Sequence, residues 1–337
     1  MKSTVTSVDV ARLAGVSQST VSRAISSGAV SEATRQEVFA AARKLNYVPN
    51  SIARSLTKRS SNIVAIVIGD LSNSFYSAAF SALSARLQDV GKQVLVFNVN
   101  KSRNVDSALR RALEYQVDGL IVLEAASAAI AREFLERGVA VVVFNRHIPE
   151  LAAHTVCCDN AGGARLAANA LLEAGARRFA IIYGNRDSRT NRDRITGFLE
   201  ALRSSGAPMH DVPDRCGEYT YDGGFRAACE LLRSAERTDA IFCTDDMMAF
   251  GAMDAARSCF GLRIPEDLLI MGFDGVEEAA RTVYRLSTIR QPLTEMVEAA
   301  VDLVSRQVDG APLVRVLPTS LILRESTARR RQPCASP

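Results

Sequence analysis

From residue 62 onward the chain alternates between short apolar runs and longer amphipathic stretches. The apolar runs have the length of β-strands, and they are Ile63–Ile68, Gln93–Val99, Gly119–Leu123, Ala140–Asn145, Phe179–Tyr183, Ala240–Cys243 and Leu268–Gly272. Between them, for example in Phe75–Val90 and Ala161–Ala174, small and apolar residues recur every three or four positions, which predicts helices. Apolar strands alternating with helices are typical of a parallel sheet covered on both faces.

The length of this α/β body suggests more than one sheet. About 265 residues is large for a single doubly wound sheet, so we expect two lobes that divide near Asp159-Asn160.

The first fifty residues show a different pattern, with three short helical segments that each follow a start signal. The segments are Val8–Ala14 after the capping-box-like pair Thr6 and Asp9, Gln18–Ile25 after Ser17, and Glu32–Leu45 after Ser31. Pro49 ends the third pattern. The sequence therefore predicts a small, all-helical head.

The first two segments of this head have the features of a helix-turn-helix. Gly15 falls at the turn, where the backbone needs a positive φ, and Ala11 is small enough to let two helices approach closely. We expect the apolar seam between the helices to be formed by Leu13, Val16, Val21 and Ile25.

Charge is distributed unevenly between head and body. The net charge is +4, but residues 1–60 hold nine Lys/Arg against three Asp/Glu, whereas the other 277 residues hold 32 against 34. A head of charge +6 on a body of charge −2 predicts that the head, and not the body, binds a polyanion.

The outer face of the second helical segment carries residues suited to reading DNA. With the seam assigned, Gln18, Ser19 and Arg23 remain near the N-terminal end of that face, where a recognition helix presents side chains to base edges. Arg23 can bind guanine with two hydrogen bonds and Gln18 can pair with adenine. Thr20, Ser22 and Asn50 are expected to bind phosphates. The alternative is an ordinary helical hairpin with a solvated outer face.

The sequence contains no motif typical of a disulfide-rich protein, a metalloprotein, an enzyme or a membrane protein. Seven cysteines and three histidines are scattered without a C-x-x-C pair, so we expect no disulfide framework, no metal and no cofactor. Motifs for dinucleotide or phosphate binding, a nucleophile elbow and a zinc protease are absent, and we assign no catalytic residue and expect no enzyme. The apolar runs are too short for membrane helices, and the absence of a signal-peptide pattern predicts a cytoplasmic protein.

The head also resembles the LacI family of bacterial transcription repressors. Residues Asp9–Arg23 nearly match D-V-A-x-x-A-G-V-S-x-x-T-V-S-R, Leu45–Asn50 resembles the family's L-x-Y-x-P-N, and Ala53–Leu56 resembles its hinge helix. Leu323–Thr327 resembles the family's ending, so the resemblance covers almost the whole chain.

For the head, the resemblance implies that the hinge helix folds on operator DNA and that Leu56 wedges into a central step of the minor groove. Two hinge helices must lie side by side, which implies a homodimer and a pseudo-palindromic, double-stranded operator. The predicted DNA-binding residues are Thr6, Ser17, Gln18, Ser19, Thr20, Ser22, Arg23, Asn50, Ala53 and Leu56. No heptad-bearing tetramerisation helix follows Thr327, so we expect a dimer and no larger assembly.

For the body, the resemblance implies a small-molecule effector held between two lobes at the carboxyl ends of the strands, as in periplasmic sugar-binding proteins. The residues that match the family's ligand-binding positions are Asn73, Phe75, Asn145, Arg194, Tyr219, Asp245, Asp274 and Gln291. Ser74 stands where proline is usual, and Asn145 stands where an acid is common. An arginine, carboxylates and amides together are suited to binding a polyol.

The segment Arg186–Arg194 leaves two interpretations open. Its four arginines could grip a carboxylate or phosphate of the effector, or they could belong to a surface loop held by salt bridges. The effector is therefore predicted to be a sugar, a sugar acid or a sugar phosphate.

The predicted fold is α/β, with a small all-α helix-turn-helix domain and a two-lobed, periplasmic-binding-protein-like body of doubly wound parallel sheets. The expected parts are the head (1–49), the hinge helix and linker (50–61), a first lobe (62–160 with 291–320), a second lobe (161–290 with 321–328) and a tail (329–337). The predicted function is sequence-specific regulation of transcription, most simply repression of carbohydrate or related catabolic genes under allosteric control by the effector. A periplasmic transport receptor is the rival for the body alone, and the DNA-binding head argues against it.

Overall fold

The computed structural model describes residues 5–26, 28–48, 60–99, 105–123, 128–146, 151–206, 214–234, 238–305 and 311–328. The chain divides into two compact units, Met1–Ser61 and Asn62–Pro337. The predictions for Pro49, Asn50, Ala53 and Leu56, and for the tail 329–337, lie outside the described residues.

The head contains three helices, α1 (Ser7–Ala14), α2 (Gln18–Ile25) and α3 (Glu32–Lys44). The predicted start signals are confirmed. The Asp9 carboxylate accepts a hydrogen bond from the Thr6 backbone N–H at 3.0 Å, and the Ser17 and Ser31 hydroxyls accept from the N–H groups three residues later. Gly15 has the predicted positive φ, 66°, and allows the tight turn between α1 and α2.

The apolar core of the head differs from the predicted seam. Leu13 is 44% exposed, whereas Val10, Val21, Ala24 and Val38 are fully buried. In an α-helix each residue is rotated by about 100° from the one before it. Leu13 therefore points roughly 110° away from the centre of the buried face formed by Val10 and Ala11. The prediction that Leu13 belongs to the apolar seam was wrong. Val16 and Ile25 are only partly buried, and they pack on this core from its edge.

The first lobe of the body is built on a parallel six-stranded sheet with the order β11-β5-β4-β3-β1-β2. Its strands are β1 (Ile63–Ile68), β2 (Gln93–Asn98), β3 (Gly119–Val122), β4 (Ala140–Phe144), β5 (His154–Cys158) and β11 (Val314–Leu317). Its helices are α4 (Ser74–Asp89), α5 (Val105–Glu114), α6 (Ala128–Glu136) and α11 (Leu293–Ser305).

Both faces of this sheet are covered, which explains the continuous apolar runs. In β1, Val64, Ile66 and Ile68 are buried on the side of α4 and α11. The alternate residues Ala65 and Val67 are buried on the side of α5 and α6. No residue of the strand interior faces water, as a doubly covered sheet requires.

The second lobe has the sheet order β12-β10-β9-β8-β6-β7, in which only the β12–β10 pair is recorded as antiparallel among the described strands. Its strands are β6 (Phe179–Tyr183), β7 (Asp214–Cys216), β8 (Ala240–Cys243), β9 (Leu269–Asp274), β10 (Ser287–Arg290) and β12 (Ser320–Ile322). Its helices are α7 (Asn160–Glu173), α8 (Arg189–Ser204), α9 (Tyr221–Arg233) and α10 (Asp246–Phe260), with two 3-10 turns at Glu277–Ala280 and Glu325–Thr327. The predicted α/β fold with two lobes is confirmed.

Among the described strands, the chain passes between the two sheets after β5, after β10 and after β11. Asn73, in the loop after β1, is hydrogen-bonded to Asp245, which follows β8, so the carboxyl ends of these two strands, one from each sheet, face each other. That is the place where open α/β sheets bind ligands. Within the described part of the chain, no helix combines the length and the apolar character that a membrane span requires.

Candidate functional site

A cavity of about 1010 Å³ lies between the carboxyl ends of the two sheets of the body. From the first lobe its wall includes Asp70 and Asn73, which follow β1, and Arg146, which follows β4. From the second lobe it includes Gly184, which follows β6, and Thr190 at the start of α8. The cavity is large enough for a small organic ligand and is lined by both polar and aromatic side chains.

All but one of the predicted effector-binding residues line this cavity. The lining members are Asn73, Phe75, Asn145, Arg194, Tyr219, Asp245 and Asp274. Gln291 lies outside the wall that the described residues form, but its Nε2 donates to Asp274 Oδ1 at 2.7 Å. Gln291 is thus placed to orient the Asp274 carboxylate without lining the cavity itself.

Arg194 forms the polar centre of the site. The side chain is almost completely buried, and its Nη1 donates to Asp274 Oδ1 at 3.2 Å and to the Thr244 carbonyl at 2.5 Å. Its Nε donates to Asn160 Oδ1 at 2.8 Å, and the guanidinium lies 3.7 Å from the centre of the Phe273 ring. Burial is the largest single effect and lowers the pKa of Arg194, but attraction to the Asp274 carboxylate, with smaller contributions from three other groups nearby, gives a net rise in that pKa.

Three carboxyl groups, those of Asp245, Asp246 and Asp274, are buried close to one another in this part of the second lobe, and Asp274 pairs with Arg194. Burial raises the pKa of Asp245 to about 7, and repulsion from Asp274 adds to that shift. Burial also raises the pKa of Asp246 and Asp274 above the ordinary aspartate range. The polar centre therefore contains more acidic than basic groups, and hydrogen-bond donors on a ligand would be stabilised there.

Asp246 is a further member of this polar centre, one that no motif in the sequence marks. Its carboxylate accepts from the backbone N–H groups of Gly275 and Val276 at 2.8 and 2.9 Å and from the Thr288 hydroxyl at 2.6 Å. These bonds fix the loop directly after Asp274. A second acid next to Asp245, at the start of a helix, was the only signal in the sequence.

Asn73 and Asp245 connect the two lobes across the cavity. Asn73 Oδ1 accepts from the Phe75 N–H at 3.0 Å and caps α4, while its Nδ2 donates to Asp245 Oδ2 at 3.2 Å. Asp245 in turn caps α10 by accepting from the Met248 N–H at 2.8 Å. Two predicted ligand-binding residues therefore hold each other in place.

Backbone strain is concentrated at this cavity. Four lining residues other than glycine have a positive φ, namely Asn145 (57°), Glu218 (54°), Tyr219 (58°) and Asp274 (124°). Such conformations cost of order 1–3 kcal/mol each and cluster at functional sites. Asn145 Oδ1 is buried and has no hydrogen-bond partner among the described residues, so it is available to a donor on a ligand.

Gly184 is a second feature that sequence reasoning missed. A Cβ on Gly184 would overlap the ring of Tyr219, so only glycine leaves room for that ring in its present position. The Gly184 carbonyl also accepts from Cys216 Sγ at 2.9 Å. No local sequence pattern marks this contact, because Gly184 and Tyr219 are brought together by the pairing of β6 with β7.

The arginines of the Arg186–Arg194 segment have partners within the protein. Arg186 Nη2 donates to both oxygens of Asp214 at 2.6 and 2.8 Å. Arg189 lies 3.6 Å from Asp193, and Arg192 donates to the Asp187 carbonyl at 3.3 Å. These contacts favour a loop held by salt bridges over a binding site for an anion.

In the head, the outer face of α2 is open to solvent. Gln18, Ser19, Ser22 and Arg23 are exposed, and Arg23 Nη2 makes only a long, 3.4 Å hydrogen bond to the Thr20 hydroxyl in the described structure. Gln18 Nε2 donates to the Ser7 hydroxyl at 3.0 Å.

Two predicted DNA-binding residues have structural roles in the head. Thr6 and Ser17 are engaged in capping α1 and α2, so their side chains order the helix-turn-helix itself. Asn50, Ala53 and Leu56 lie outside the described residues.

Both the head and the body of this chain match known protein families. Residues 6–50 match the model for bacterial regulatory proteins of the lacI family, and residues 168–327 match the periplasmic binding protein-like domain. The transcriptional regulator CelR of Thermobifida fusca is 34% identical over 331 residues, which cover 94% of this chain and 96% of CelR.

Solved structures give the same result over nearly the full length. The Lac repressor dimer bound to operator and the anti-inducer ONPF has a TM-score of 0.85 at 27% identity and covers 96% of this chain and 99% of its own. A complex of CelR with cellobiose has a TM-score of 0.70 at 32% identity, with the same coverage. This protein therefore belongs to the lacI family of bacterial DNA-binding transcription regulators.

Proposed function

We propose that this protein is a repressor that binds a pseudo-palindromic operator as a homodimer, and that a neutral sugar between the lobes of the body controls its affinity for DNA. The observation that carries the proposal is the buried polar centre of Arg194, Asp245 and Asp274 in the wall of a cavity between two lobes. A site of this kind binds a ligand with many hydroxyl groups and closes around it.

The chemistry of the cavity favours a neutral ligand over a sugar acid or sugar phosphate. Of the arginines that line the cavity in the described chain, Arg186 is paired with Asp214 and Arg194 with Asp274, and Arg146 donates to the Leu123 carbonyl. An anion would have to compete with carboxylates for the first two. Hydroxyl groups, in contrast, can donate to Asp245 and to Asn145 Oδ1 without displacing an existing pair.

Aromatic side chains supply the apolar part of the site. Phe75 and Tyr76 line the cavity from the first lobe and Tyr219 from the second. The faces of sugar rings carry C–H groups, which pack well on aromatic rings. The CelR–cellobiose complex, in a protein of the same family, agrees with this class of ligand.

DNA binding is assigned to the head. The exposed residues Gln18, Ser19 and Arg23 are proposed to read base edges in the major groove, and Ser22 and Thr20 to bind phosphates. Leu56 is proposed to wedge into the minor groove, as the family resemblance implies, with Ala53 of the same hinge segment as a further DNA-binding residue and Asn50 as a phosphate contact. The Lac repressor dimer bound to operator supports the dimeric arrangement.

The sugar can control DNA binding because sugar binding and operator binding are thermodynamically linked. A sugar that binds one arrangement of the lobes more tightly than the other changes the operator affinity, and the operator changes the sugar affinity by the same factor. Members of this family regulate transcription. We therefore assign the cavity the binding of a ligand and not its chemical conversion.

Calorimetric titration tests the ligand class. The neutral panel is glucose, galactose, ribose, cellobiose and lactose, and the anionic panel is galacturonate and glucose 6-phosphate. We expect at least one neutral sugar to bind and Asp274→Asn to abolish its binding, with Asp187→Asn, an exposed position outside the cavity wall of the described chain, as the control. Binding of the anionic compounds alone would refute the neutral assignment.

A further inference from the structure

A second contact between the lobes lies next to the Asn73–Asp245 bond but outside the cavity. The hydroxyl of Ser74 donates to Glu278 Oε1 at 2.9 Å, and Ser74 Oγ lies 3.6 Å from the sulfur of Met247. Neither Ser74 nor Glu278 belongs to the cavity wall that the described residues form. Both side chains are only partly exposed, so water competes weakly for this hydrogen bond.

The position of Ser74 in the first lobe gives the contact its importance. Ser74 is the first residue of α4, directly after the helix cap Asn73 and directly before Phe75 and Tyr76. Asn73, Phe75 and Tyr76 all line the cavity. A bond that fixes Ser74 therefore fixes the N-terminal turn of α4, from which these three side chains project.

The position of Glu278 in the second lobe is equally specific. It lies in the 3-10 turn Glu277–Ala280, four residues after Asp274. The residues directly before this turn are hydrogen-bonded to Asp246, whose carboxylate accepts from the N–H groups of Gly275 and Val276. The anchor for Ser74 is thus tied to the polar centre of the cavity.

From these contacts we infer that Glu278 is a positioning residue of the effector site. Through the bond to Ser74, here called the Ser74–Glu278 clasp, it fastens the N-terminal turn of α4 to the second lobe and holds Asn73, Phe75 and Tyr76 in the wall of the cavity. This inference rests on the proposed function for the effector, but the clasp itself requires no ligand.

The clasp is a feature of these particular side chains. A proline at position 74 would have neither a hydroxyl group nor an N–H to offer Glu278, so the clasp depends on the serine. The charged acceptor makes the bond stronger than one between neutral groups.

The decisive experiment compares full-length Glu278→Ala and Ser74→Ala with two matched controls. Glu277→Ala removes the exposed acid from the neighbouring position of the same turn. Glu278→Gln removes the charge but keeps an oxygen that accepts from Ser74. Hydrogen exchange of the segment 70–80 is measured without ligand, and affinity for the five neutral sugars named above is measured by calorimetry.

We expect Glu278→Ala and Ser74→Ala each to weaken sugar binding about fivefold and to speed exchange at the start of α4 by a similar factor. In Glu278→Gln both the sugar affinity and the exchange rate should stay within about twofold of wild type, and Glu277→Ala should match wild type. The double variant Ser74→Ala, Glu278→Ala should lose no more affinity than either single variant. These results would support the clasp.

Three results would overturn it: unchanged exchange and affinity in Glu278→Ala, an equal loss in Glu277→Ala, or additive losses in the double variant. The failure of the proposed function looks different. If exchange at α4 responds as expected but none of the sugars binds to wild type, the clasp is supported and the sugar assignment is wrong.

Discussion

Arg194 and Asp274 form an ion pair, 3.2 Å from nitrogen to oxygen, in which both side chains are more than 90% withdrawn from solvent. If the cavity binds the proposed sugar, the same two groups contribute both to folding and to ligand binding. Removal of one partner leaves the other buried without its counter-charge, which typically costs several kcal/mol.

We therefore predict that Asp274→Asn lowers the free energy of unfolding by about 3 kcal/mol and abolishes sugar binding. Asparagine is nearly isosteric with the aspartate that already adopts the positive φ of this position, so the loss comes from the charge and not from the backbone. Chemical denaturation and calorimetry measure the two effects. In the double variant Arg194→Met, Asp274→Asn the stability should recover in part while binding stays lost; full retention of binding in either variant would contradict the assignment.

Arg23 is predicted to carry sequence preference in the head. Arg23→Ala should weaken binding to a selected operator by about 1–3 kcal/mol and change binding to random DNA much less, because a base contact is lost and not a phosphate contact. Fluorescence anisotropy with both DNAs gives the ratio, and Arg12→Ala, on the exposed side of α1, is the control. Equal losses on both DNAs would mean that Arg23 contacts only phosphate.

The raised pKa of Asp245 predicts a pH dependence of sugar binding. A hydroxyl donated to Asp245 favours its ionised form, so the affinity for a neutral sugar should rise as the pH passes upward through about 7. Calorimetry between pH 5.5 and 8.5 measures this, with the range chosen to bracket that roughly neutral pKa. Asp245→Asn should remove the dependence; if the variant titrates like wild type, another group is responsible.

The same group has the opposite effect on stability. Its folded pKa of about 7 lies above the ordinary value of 3.8, so the folded protein binds more protons than the unfolded chain between these two values. The contribution of Asp245 to stability is thus greatest below about pH 4 and falls as the pH rises to about 7. Denaturation midpoints of wild type and Asp245→Asn, compared over that range, isolate this contribution.

Gly184 provides a test of the aromatic part of the site. Gly184→Ala places a methyl group where the Tyr219 ring now lies, so the ring must move and sugar affinity should fall about tenfold. Tyr219→Ala should cause a similar loss, and the double variant should lose no more than Tyr219→Ala alone. Additive losses would show that Gly184 acts by another route.

How far the sequence predicts this structure depends on how local each signal is. The strands Ile63–Ile68, Phe179–Tyr183 and Ala240–Cys243 were predicted with their correct ends, because a strand buried on both faces must be apolar throughout. Helix α2 was also correct, since Ser17 marks its start. The short strands β5, β7, β10, β11 and β12 were missed, because they are polar or lie near sheet edges and are defined by partners distant in sequence.

The same distinction applies to the functional residues. Arg194 and Asp274 were predicted through motifs that the family resemblance supplied, and the structure places both in the wall of the cavity. Glu278 and Gly184 could not be predicted, because each acquires its role from one contact across the fold, with Ser74 and Tyr219 respectively. Leu13 was misassigned for a simpler reason, that in a helix of two turns the direction of the buried face depends on which helix packs against it.

The central claim is that a sugar bound in the body controls the affinity of the head for operator DNA. Its most direct test is the operator dissociation constant of the full-length protein, measured by anisotropy on a site selected from random DNA, with and without the tightest-binding neutral sugar. We predict that the sugar changes this constant by about tenfold or more in wild type and leaves it unchanged in Asp274→Asn. A wild-type constant that is the same with and without a sugar that demonstrably binds would contradict the account.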